Sequence, residues 1–134
     1  MKSEDVISGL GLHQKVGLPV VDQDDRGPGK NELEGVGDIR FQKELADVET
    51  NGWLFTIQTD QQQKVLDHLN ANKILSRRFW MPMNKLPMYT DCVYIQKKDN
   101  ADYIYNTCLS IPCSTSITNE QLEIVAKEVK AALA

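Results

Sequence analysis

A short apolar run that ends at a proline, crosses a polar turn and enters an amphipathic helix constrains the fold of this chain most. This unit occupies residues 109–130 and reads LSIPCSTSITNEQLEIVAKEVK. Pro112 has no backbone N–H and therefore belongs at the end or the edge of a strand. Thr118, with Gln121 three residues later, forms a capping box that predicts the start of a helix. The apolar positions at helical spacing are Leu122, Val125, Val129 and Leu133. The unit predicts a strand, a turn and a helix that lies back on a sheet.

Two further strands and a helix are predicted upstream of this unit. Residues 53–59, WLFTIQT, have the composition of a strand, with Trp53, Phe55 and Ile57 on one face. The following DQQQKVLDHLNANK predicts a helix that Asp60 caps, with Gln63 as its capping-box partner. The predicted apolar stripe of this helix consists of Val65, Leu66, Leu69 and Ala71. Residues 73–80 predict the second strand.

The order of elements predicts a small α/β sandwich. A short helix over residues 100–108 leads into the strand of the final unit, so three or so strands carry helices packed on one face. Residues 1–38 are rich in glycine and poor in large apolar side chains, and they predict a flexible or partly ordered N-terminal arm. Only GLPVV, at residues 17–21, is expected to dock as a short strand. Residues 39–134 form the predicted domain.

Charge and cysteine content restrict the function classes. The formal net charge is −4, which argues against general nucleic-acid or membrane-surface binding, because both require a basic face. The N-terminus lacks the apolar stretch of a signal peptide, and no apolar run is long enough to span a membrane. Cys92, Cys108 and Cys113 are an odd set without CxxC spacing. We expect a cytoplasmic protein with reduced thiols.

The segment SRRFWMPMNKLPMY, residues 76–89, is the most unusual in composition. Its large side chains can line an apolar pocket, and Arg77 or Arg78 can supply a cation for a carboxylate or a phosphate. Alternatively, the same residues simply pack a long loop onto the sheet, with both arginines solvated. Spacing alone leaves both interpretations open.

The residues themselves reveal no catalytic constellation. His13 and His68 have no second ligand at metal-binding spacing, so no metal site is expected. The cysteines have no neighbouring histidine or cluster of positive charge that would activate a thiol. The glycines of GPGKNELEGVG lack the spacing of a phosphate-binding loop.

Three segments do resemble a known family. They are NGWLFTIQTD, NKILSRRFWMPMNKLPMYTDC and YNTCLSIPCSTSITNEQLEIVAKEVK. In this order they resemble the C-terminal small domain of pyridoxal-phosphate-dependent sugar aminotransferases of the DegT/StrS type. The likeness is to the branch that makes bacillosamine- and legionaminic-type sugars for surface glycans. The resemblance covers residues 51–133 and implies the small domain of the fold-type-I aminotransferases.

The resemblance also implies roles for individual residues. Asn51 and Trp53 match the strand that starts near the cofactor cleft, and are expected to be cofactor-binding. The residues expected to bind the substrate are Arg77, Trp80, Met83, Asn84 and Tyr89. Arg78 stands where that branch usually has proline, so the resemblance does not fix the loop path at this position.

The family carries its Schiff-base lysine, its pyridine partner and its phosphate-binding hydroxyls on a large domain that this sequence does not contain. We therefore expect no cofactor and no catalysis from this chain alone, although the intact family uses pyridoxal phosphate. The expected partners are a large-domain aminotransferase subunit or a second copy of the chain, which would cover an exposed apolar face. The alternative is a non-catalytic module that binds a ligand or a protein through residues 77–89. An unrelated α/β enzyme is disfavoured by the missing acid–base and nucleophile set.

Overall fold

Four short antiparallel strands and four helices are defined in the computed structural model, which describes residues 30–43, 46–48 and 52–134. The helices are α1 (Lys30–Leu33), α2 (Gln62–Ala71), α3 (Asn100–Thr107) and α4 (Asn119–Leu133). The strands are β1 (Arg40–Phe41), β2 (Phe55–Gln58), β3 (Arg77–Arg78) and β4 (Cys108–Ile111). Two 3₁₀ turns, Met83–Lys85 and Pro87–Tyr89, shape the loop after β3. The strand order is β1-β2-β4-β3.

Strand register gives the sheet two different faces. Ile57 of β2 lies opposite Leu109 of β4, and both side chains are fully buried. One residue along, Thr56 lies opposite Ser110, and both are only partly buried. Since successive strand residues point to opposite faces, one face is apolar and the other is polar.

The apolar face is covered by α2 and α4, which pack against each other and the sheet. The core residues are Leu33, Ile57, Val65, Leu69, Leu109, Ile111, Val125, Ala126, Val129 and Ala132. Ala71, predicted for the stripe of α2, is instead exposed, and the buried polar residue of this helix is Gln62. Gln62 Nε2 donates to the carbonyl oxygens of Tyr105 and Cys108, at 2.8 and 2.5 Å, so its burial is compensated. The predicted small α/β sandwich is confirmed.

The start of α4 follows the predicted capping box. The backbone N–H of Gln121 donates to Thr118 Oγ1 at 3.3 Å, and the N–H of Thr118 donates to Gln121 Oε1 at 3.0 Å. Val125 and Val129 are buried as expected, and Leu122 is partly buried. This terminus is therefore a local consequence of the sequence.

The predicted capping box of α2 is wrong. The N-cap residue is Gln61, and its side chain makes no cap hydrogen bond. Asp60 instead pairs with Arg40, with its Oδ1 2.7 Å from Nη2. Gln63 Nε2 donates to Asp67 Oδ1 at 2.6 Å, one turn along the helix. Both predicted capping side chains therefore have other partners.

Asp38 supplies the carboxylate that organises the approach to α2. Its oxygens accept from the Thr59 hydroxyl at 2.5 Å and from the Asp60 backbone N–H at 2.6 Å. Partial burial raises the pKa of this carboxyl, but the hydrogen bonds from Thr59 and Asp60 outweigh burial, so the pKa lies below its usual value. Thr59 Oγ1 in turn accepts from the N–H of Gln61 at 3.1 Å.

The second predicted strand is shorter than the span of residues 73–80. Lys73 has a φ of 63°, which breaks the extended path directly after α2. The side chain of Asn70 then accepts from the Ser76 N–H at 3.0 Å and donates to the Ser76 carbonyl at 3.2 Å. Only Arg77–Arg78 pairs with β4.

The predicted arm lies mainly outside the described residues, as does its proposed strand at residues 17–21. Residues 30–38 are described, and the side chain of Leu33 there is fully buried in the core. The domain boundary at residue 39 stays a prediction. Helix α1, whose Leu33 packs into the core, lies on the N-terminal side of that boundary.

Candidate functional site

The two tryptophans of the chain lie side by side at the surface. Trp53 precedes β2 and Trp80 follows β3, yet their ring centroids are 5.8 Å apart, with planes inclined by 34°. Each residue is 58% exposed. Phe79 packs edge-on against Trp80, with its centroid at 4.8 Å. The fold thus brings together Trp53 and Trp80, two residues that the family resemblance assigns to a site.

Cys113, beyond the end of β4, holds the chain next to Trp53. Its Sγ accepts from the Phe55 backbone N–H at 3.3 Å, and its thiol donates to the Trp53 carbonyl at 3.6 Å. These contacts fix the backbone that carries one half of the tryptophan pair. The sequence analysis assigned Cys113 no such role. The only feature of the sequence that points to it is the position of Cys113 directly after the proline that ends a strand.

The two adjacent arginines of β3 have different environments. Arg78 donates to Gln63 Oε1 on α2, and its guanidinium lies 5.4 Å from the ring centroid of Tyr105. Arg77 is exposed, and its side chain has no hydrogen bond or ion pair within the described part of the chain. Of the two arginines, Arg77 is therefore the one available to a ligand.

The loop after β3 presents the remaining predicted site residues. Met83 and Tyr89 are exposed, at the start of the first 3₁₀ turn and the end of the second. Asn84 is partly buried, and its Oδ1 is a buried acceptor without a hydrogen-bond partner in the described residues. An unpartnered buried acceptor of this kind carries a desolvation cost that a hydrogen-bond donor would relieve. Asn51, the remaining predicted residue, lies outside the described residues.

Lys85 fastens this loop to α3. Its amine forms an ion pair with Asp102 Oδ1. The hydrogen bond with Asp102 raises the pKa of Lys85, and the same bond lowers the pKa of the Asp102 carboxyl. The amine is therefore held in its protonated form, which is not nucleophilic.

Pyridoxal phosphate does not fit the described residues by themselves. The cofactor requires a lysine whose amine is desolvated enough to lose its proton, so that it can attack the aldehyde carbon. Every described lysine except Lys30 is exposed, and Lys85, the one in the candidate loop, is kept charged by Asp102. These residues can line a cofactor site but do not supply its covalent anchor.

The described ranges also bear on metal binding and on membrane insertion. No group of three or more His, Cys, Asp or Glu side chains there is placed to hold a metal ion. None of the helices described combines the length and the apolar character needed to cross a membrane.

Comparison with known proteins identifies the family of this chain. The model of the DegT/DnrJ/EryC1/StrS aminotransferase family matches residues 30–130. No curated protein matches the chain.

Solved structures show the same fold. DesV of S. venezuelae, solved with a ketimine intermediate, aligns with a TM-score of 0.69 and 21% identity over 75% of this chain and 28% of its own. PseC of Helicobacter pylori, an aminotransferase of pseudoaminic acid biosynthesis, aligns with a TM-score of 0.67 and 15% identity over 98% of this chain and 32% of its own. The sugar aminotransferase CalS13 of Micromonospora echinospora aligns with a TM-score of 0.67 and 14% identity, over 75% and 27%.

The chain thus spans less than a third of the length of these relatives. At such identities the structural likeness shows the fold, and the family model adds membership. The resemblance read from the three sequence segments is confirmed, and the chain belongs to the DegT/DnrJ/EryC1/StrS aminotransferase family.

Proposed function

We propose that this chain forms the small-domain wall of a sugar-aminotransferase site and does not catalyse transamination alone. The observation that carries the proposal is the contact between Trp53 and Trp80, whose rings are 5.8 Å apart and largely exposed. Exposed indole faces offer a flat apolar surface to a sugar ring or a nucleobase. In the intact site, Trp53 would lie toward the cofactor, together with Asn51.

The charge around the pair favours an anionic substrate. Residues 73–98 contain six basic side chains and one acidic side chain, whereas the whole chain has a net charge of −4. Arg77 is the arginine of this basic segment whose side chain has no partner in the described residues. A nucleotide-activated sugar, with its negatively charged diphosphate, matches a basic segment flanked by aromatic rings. This substrate class belongs to the biosynthesis of surface polysaccharides.

The loop supplies polar and thioether contacts beside the aromatic rings. Asn84 Oδ1 is buried in the chain by itself, so this side chain would turn outward to accept from a hydroxyl or amide hydrogen of the substrate. Met83 and Tyr89 are exposed on the two 3₁₀ turns and would cover the sugar. The ion pair between Lys85 and Asp102 would hold this loop in place as the ligand binds.

A partner would supply the lysine and the phosphate cradle for pyridoxal phosphate. We propose a large-domain aminotransferase subunit for this role, whereas a second copy of the chain would cover the same apolar surface without supplying either group. Large exposed apolar side chains mark a surface for such a partner. They include Trp80, Met81, Met83, Met88, Val93 and Ile95. The free thiols of Cys92 and Cys113 fit a reducing compartment, so we place the protein in the cytoplasm.

The second candidate is a non-catalytic module that binds a ligand or a protein through residues 77–89. It is favoured by Val93 and Ile95, which flank that loop and are 90% and 88% exposed, a pattern that suits a protein contact. Both candidates use the same loop and differ in whether a partner converts binding into turnover.

Tryptophan fluorescence tests the binding surface. Both tryptophans of the chain belong to the pair, so the signal reports this site alone. We expect quenching on titration with a UDP-N-acetylhexosamine, and a roughly tenfold or greater loss of affinity in Arg77→Gln, as for a lost charged hydrogen bond. Lys97→Gln is the matched control, because it removes an exposed positive charge from the same basic segment. Equal affinity for Arg77→Gln and Lys97→Gln would refute the assigned substrate surface.

Turnover separates the two candidates. We expect no lysine-bound cofactor absorbance and no transamination when the chain alone receives pyridoxal phosphate, glutamate and a keto-sugar nucleotide. Addition of the large domain of a family aminotransferase should generate both. Ligand binding without turnover, in the presence of a demonstrated complex between the two polypeptides, would favour the non-catalytic module.

A further inference from the structure

We propose that Thr56, Ser110 and Arg77 form an oxyanion-binding strip across the polar face of the sheet. Thr56 of β2 lies directly opposite Ser110 of β4, and Ser110 lies directly opposite Arg77 of β3. Residues paired across antiparallel strands have Cβ atoms about 4.5–5.5 Å apart and point to the same face. The three side chains therefore form one row across neighbouring strands.

This strip lies on the face of the sheet opposite to the face that packs into the hydrophobic core. The opposite face contains Ile57 and Leu109, which α2 and α4 cover completely. Thr56 and Ser110 are only partly buried, so solvent still reaches the row. The next row, Gln58 and Cys108, is buried and uncharged at neutral pH, and burial further raises the pKa of the Cys108 thiol. No carboxylate of this neighbouring row competes for the guanidinium.

The hydroxyl pair has a hydrogen to spare. Thr56 Oγ1 and Ser110 Oγ are 3.1 Å apart, and one of them donates to the other. Each hydroxyl carries a single hydrogen, so the pair uses one and leaves the second free to donate outward. A pair of this kind can hold one oxygen of an anion while remaining internally bonded.

Arg77 adds the charge. Its guanidinium carries five N–H donors, and its side chain has no partner in the described residues. The two other described arginines are engaged, Arg40 with Asp60 and Arg78 with Gln63. An available guanidinium in line with hydroxyl donors is the arrangement that binds carboxylate or phosphate oxygens.

The strip deepens the proposed function by assigning the anionic part of the ligand to the sheet rather than to the aromatic pair. It rests on the proposed function only for the natural ligand, which is the carboxylate of an amino donor or the phosphate of a nucleotide. The two sources share one chemistry, and separate titrations distinguish them.

The test is a titration of the whole chain with inorganic phosphate and, separately, with glutamate, followed by backbone amide chemical shifts. We expect shifts centred on residues 56, 77 and 110 with at least one of these anions. Arg77→Gln should weaken binding at least tenfold, and Ser110→Ala together with Thr56→Val should weaken it about three- to tenfold. Ser110→Thr keeps the hydroxyl and should bind as the parent does. Lys127→Gln removes an exposed charge on α4, outside both the sheet and the basic segment, and should leave the affinity unchanged.

The outcomes discriminate between the strip and the proposed function. Absence of shifts at these three positions, or an unchanged affinity in both Arg77→Gln and the double variant, overturns the strip. Unchanged nucleotide-sugar quenching in Ser110→Ala with Thr56→Val, together with a weakened affinity for glutamate, supports the strip as the site of the amino donor's carboxylate and leaves the tryptophan surface intact. Anion binding that the variants abolish, without any response to nucleotide sugars, supports the strip and refutes the substrate assignment.

Discussion

Trp53 and Trp80 approach each other to 5.8 Å between ring centroids, although one precedes β2 and the other follows β3. The contact joins the two sequence segments that carry most of the predicted site. It also leaves more than half of each residue open to solvent, which the folding of this chain alone does not require. Large aromatic side chains left exposed in a cluster are typical of a surface that binds a ligand or another protein.

The tryptophan pair should contribute little to stability and much to binding. Aromatic pairs contribute about 0.5–1.5 kcal/mol beyond burial, and exposure of these rings favours the lower end. We expect Trp80→Ala to lower the free energy of unfolding by about 0.5–1 kcal/mol and to abolish nucleotide-sugar binding, measured by urea denaturation and by calorimetric titration. Tyr94→Ala, an exposed aromatic outside the pair, is the control. A loss of binding in that control as well would argue against a specific platform.

Cys113 should matter for structure through its sulfur. In Cys113→Ala the Phe55 N–H loses its acceptor, and we expect a loss of about 1 kcal/mol in unfolding free energy. Cys113→Ser offers an oxygen acceptor at the same position and should recover part of the loss. Cys92 is exposed, so Cys92→Ala should change stability by less than about 0.5 kcal/mol. Urea midpoints of the three variants test this expectation. Equal midpoints for Cys113→Ala and Cys92→Ala would contradict the structural role of Cys113.

Local signals in the sequence were reliable where no distant residue competes for the same groups. The capping box of Thr118 and Gln121 involves neighbours three residues apart, so the sequence predicts it directly. The start of α2 depends on Asp38, whose hydrogen-bond partner Asp60 is 22 residues further along the chain, and local spacing therefore suggested the wrong cap. The shortened β3 follows from the positive φ of Lys73, which no residue pattern indicated.

The candidate site shows the same difference between local sequence signals and long-range contacts. Residue types alone left Arg77 and Arg78 as alternatives, and the family resemblance selected Arg77 together with Trp80, Met83 and Asn84. In the structure, this choice follows from register. Strand β3 places Arg77 opposite Ser110 on the polar face. It places Arg78 opposite Leu109 on the other face, where the guanidinium of Arg78 donates to Gln63 of α2. The row of Thr56, Ser110 and Arg77 likewise forms only when three strands pair. Because the three residues are far apart along the chain, the sequence did not predict this row.

Asp38 should make stability depend on acid pH. Its folded pKa lies below the ordinary aspartate value of about 3.9. The stabilisation is therefore fully present above that value and is lost as the pH falls through the lower, folded-state pKa. We expect Asp38→Asn to be less stable near neutral pH and to lose less stability on acidification, measured by urea midpoints across this range. The exposed Asp47→Asn should follow the parent curve. Parallel curves for Asp38→Asn and the parent would rule out this linkage.

The ion pair between Lys85 and Asp102 should control the loop rather than the fold. Lys85→Met removes the contact that joins the first 3₁₀ turn to α3. We expect faster amide hydrogen exchange across residues 81–92, with the urea midpoint nearly unchanged, because the lysine side chain is solvent-exposed. Lys97→Met removes a lysine from the same basic segment and should leave exchange in the loop as it is. Slower or unaltered exchange in Lys85→Met would show that the pair does not restrain the loop.

Val93 and Ile95 should drive association of the isolated chain. They are 90% and 88% exposed, and Tyr94 between them is less exposed, so the two most exposed side chains alternate along the segment. Burial of apolar surface on a partner contributes about 25 cal/mol per Å², which makes two adjacent uncovered aliphatic side chains a favourable contact. We expect the parent to elute in size-exclusion chromatography with an apparent mass that rises with concentration, and Val93→Ser with Ile95→Ser to elute as a monomer at all concentrations. Ile124→Ser removes an exposed aliphatic side chain from α4, away from this segment, and should behave as the parent. Association that persists in the double variant and disappears in Ile124→Ser would transfer the interface to α4.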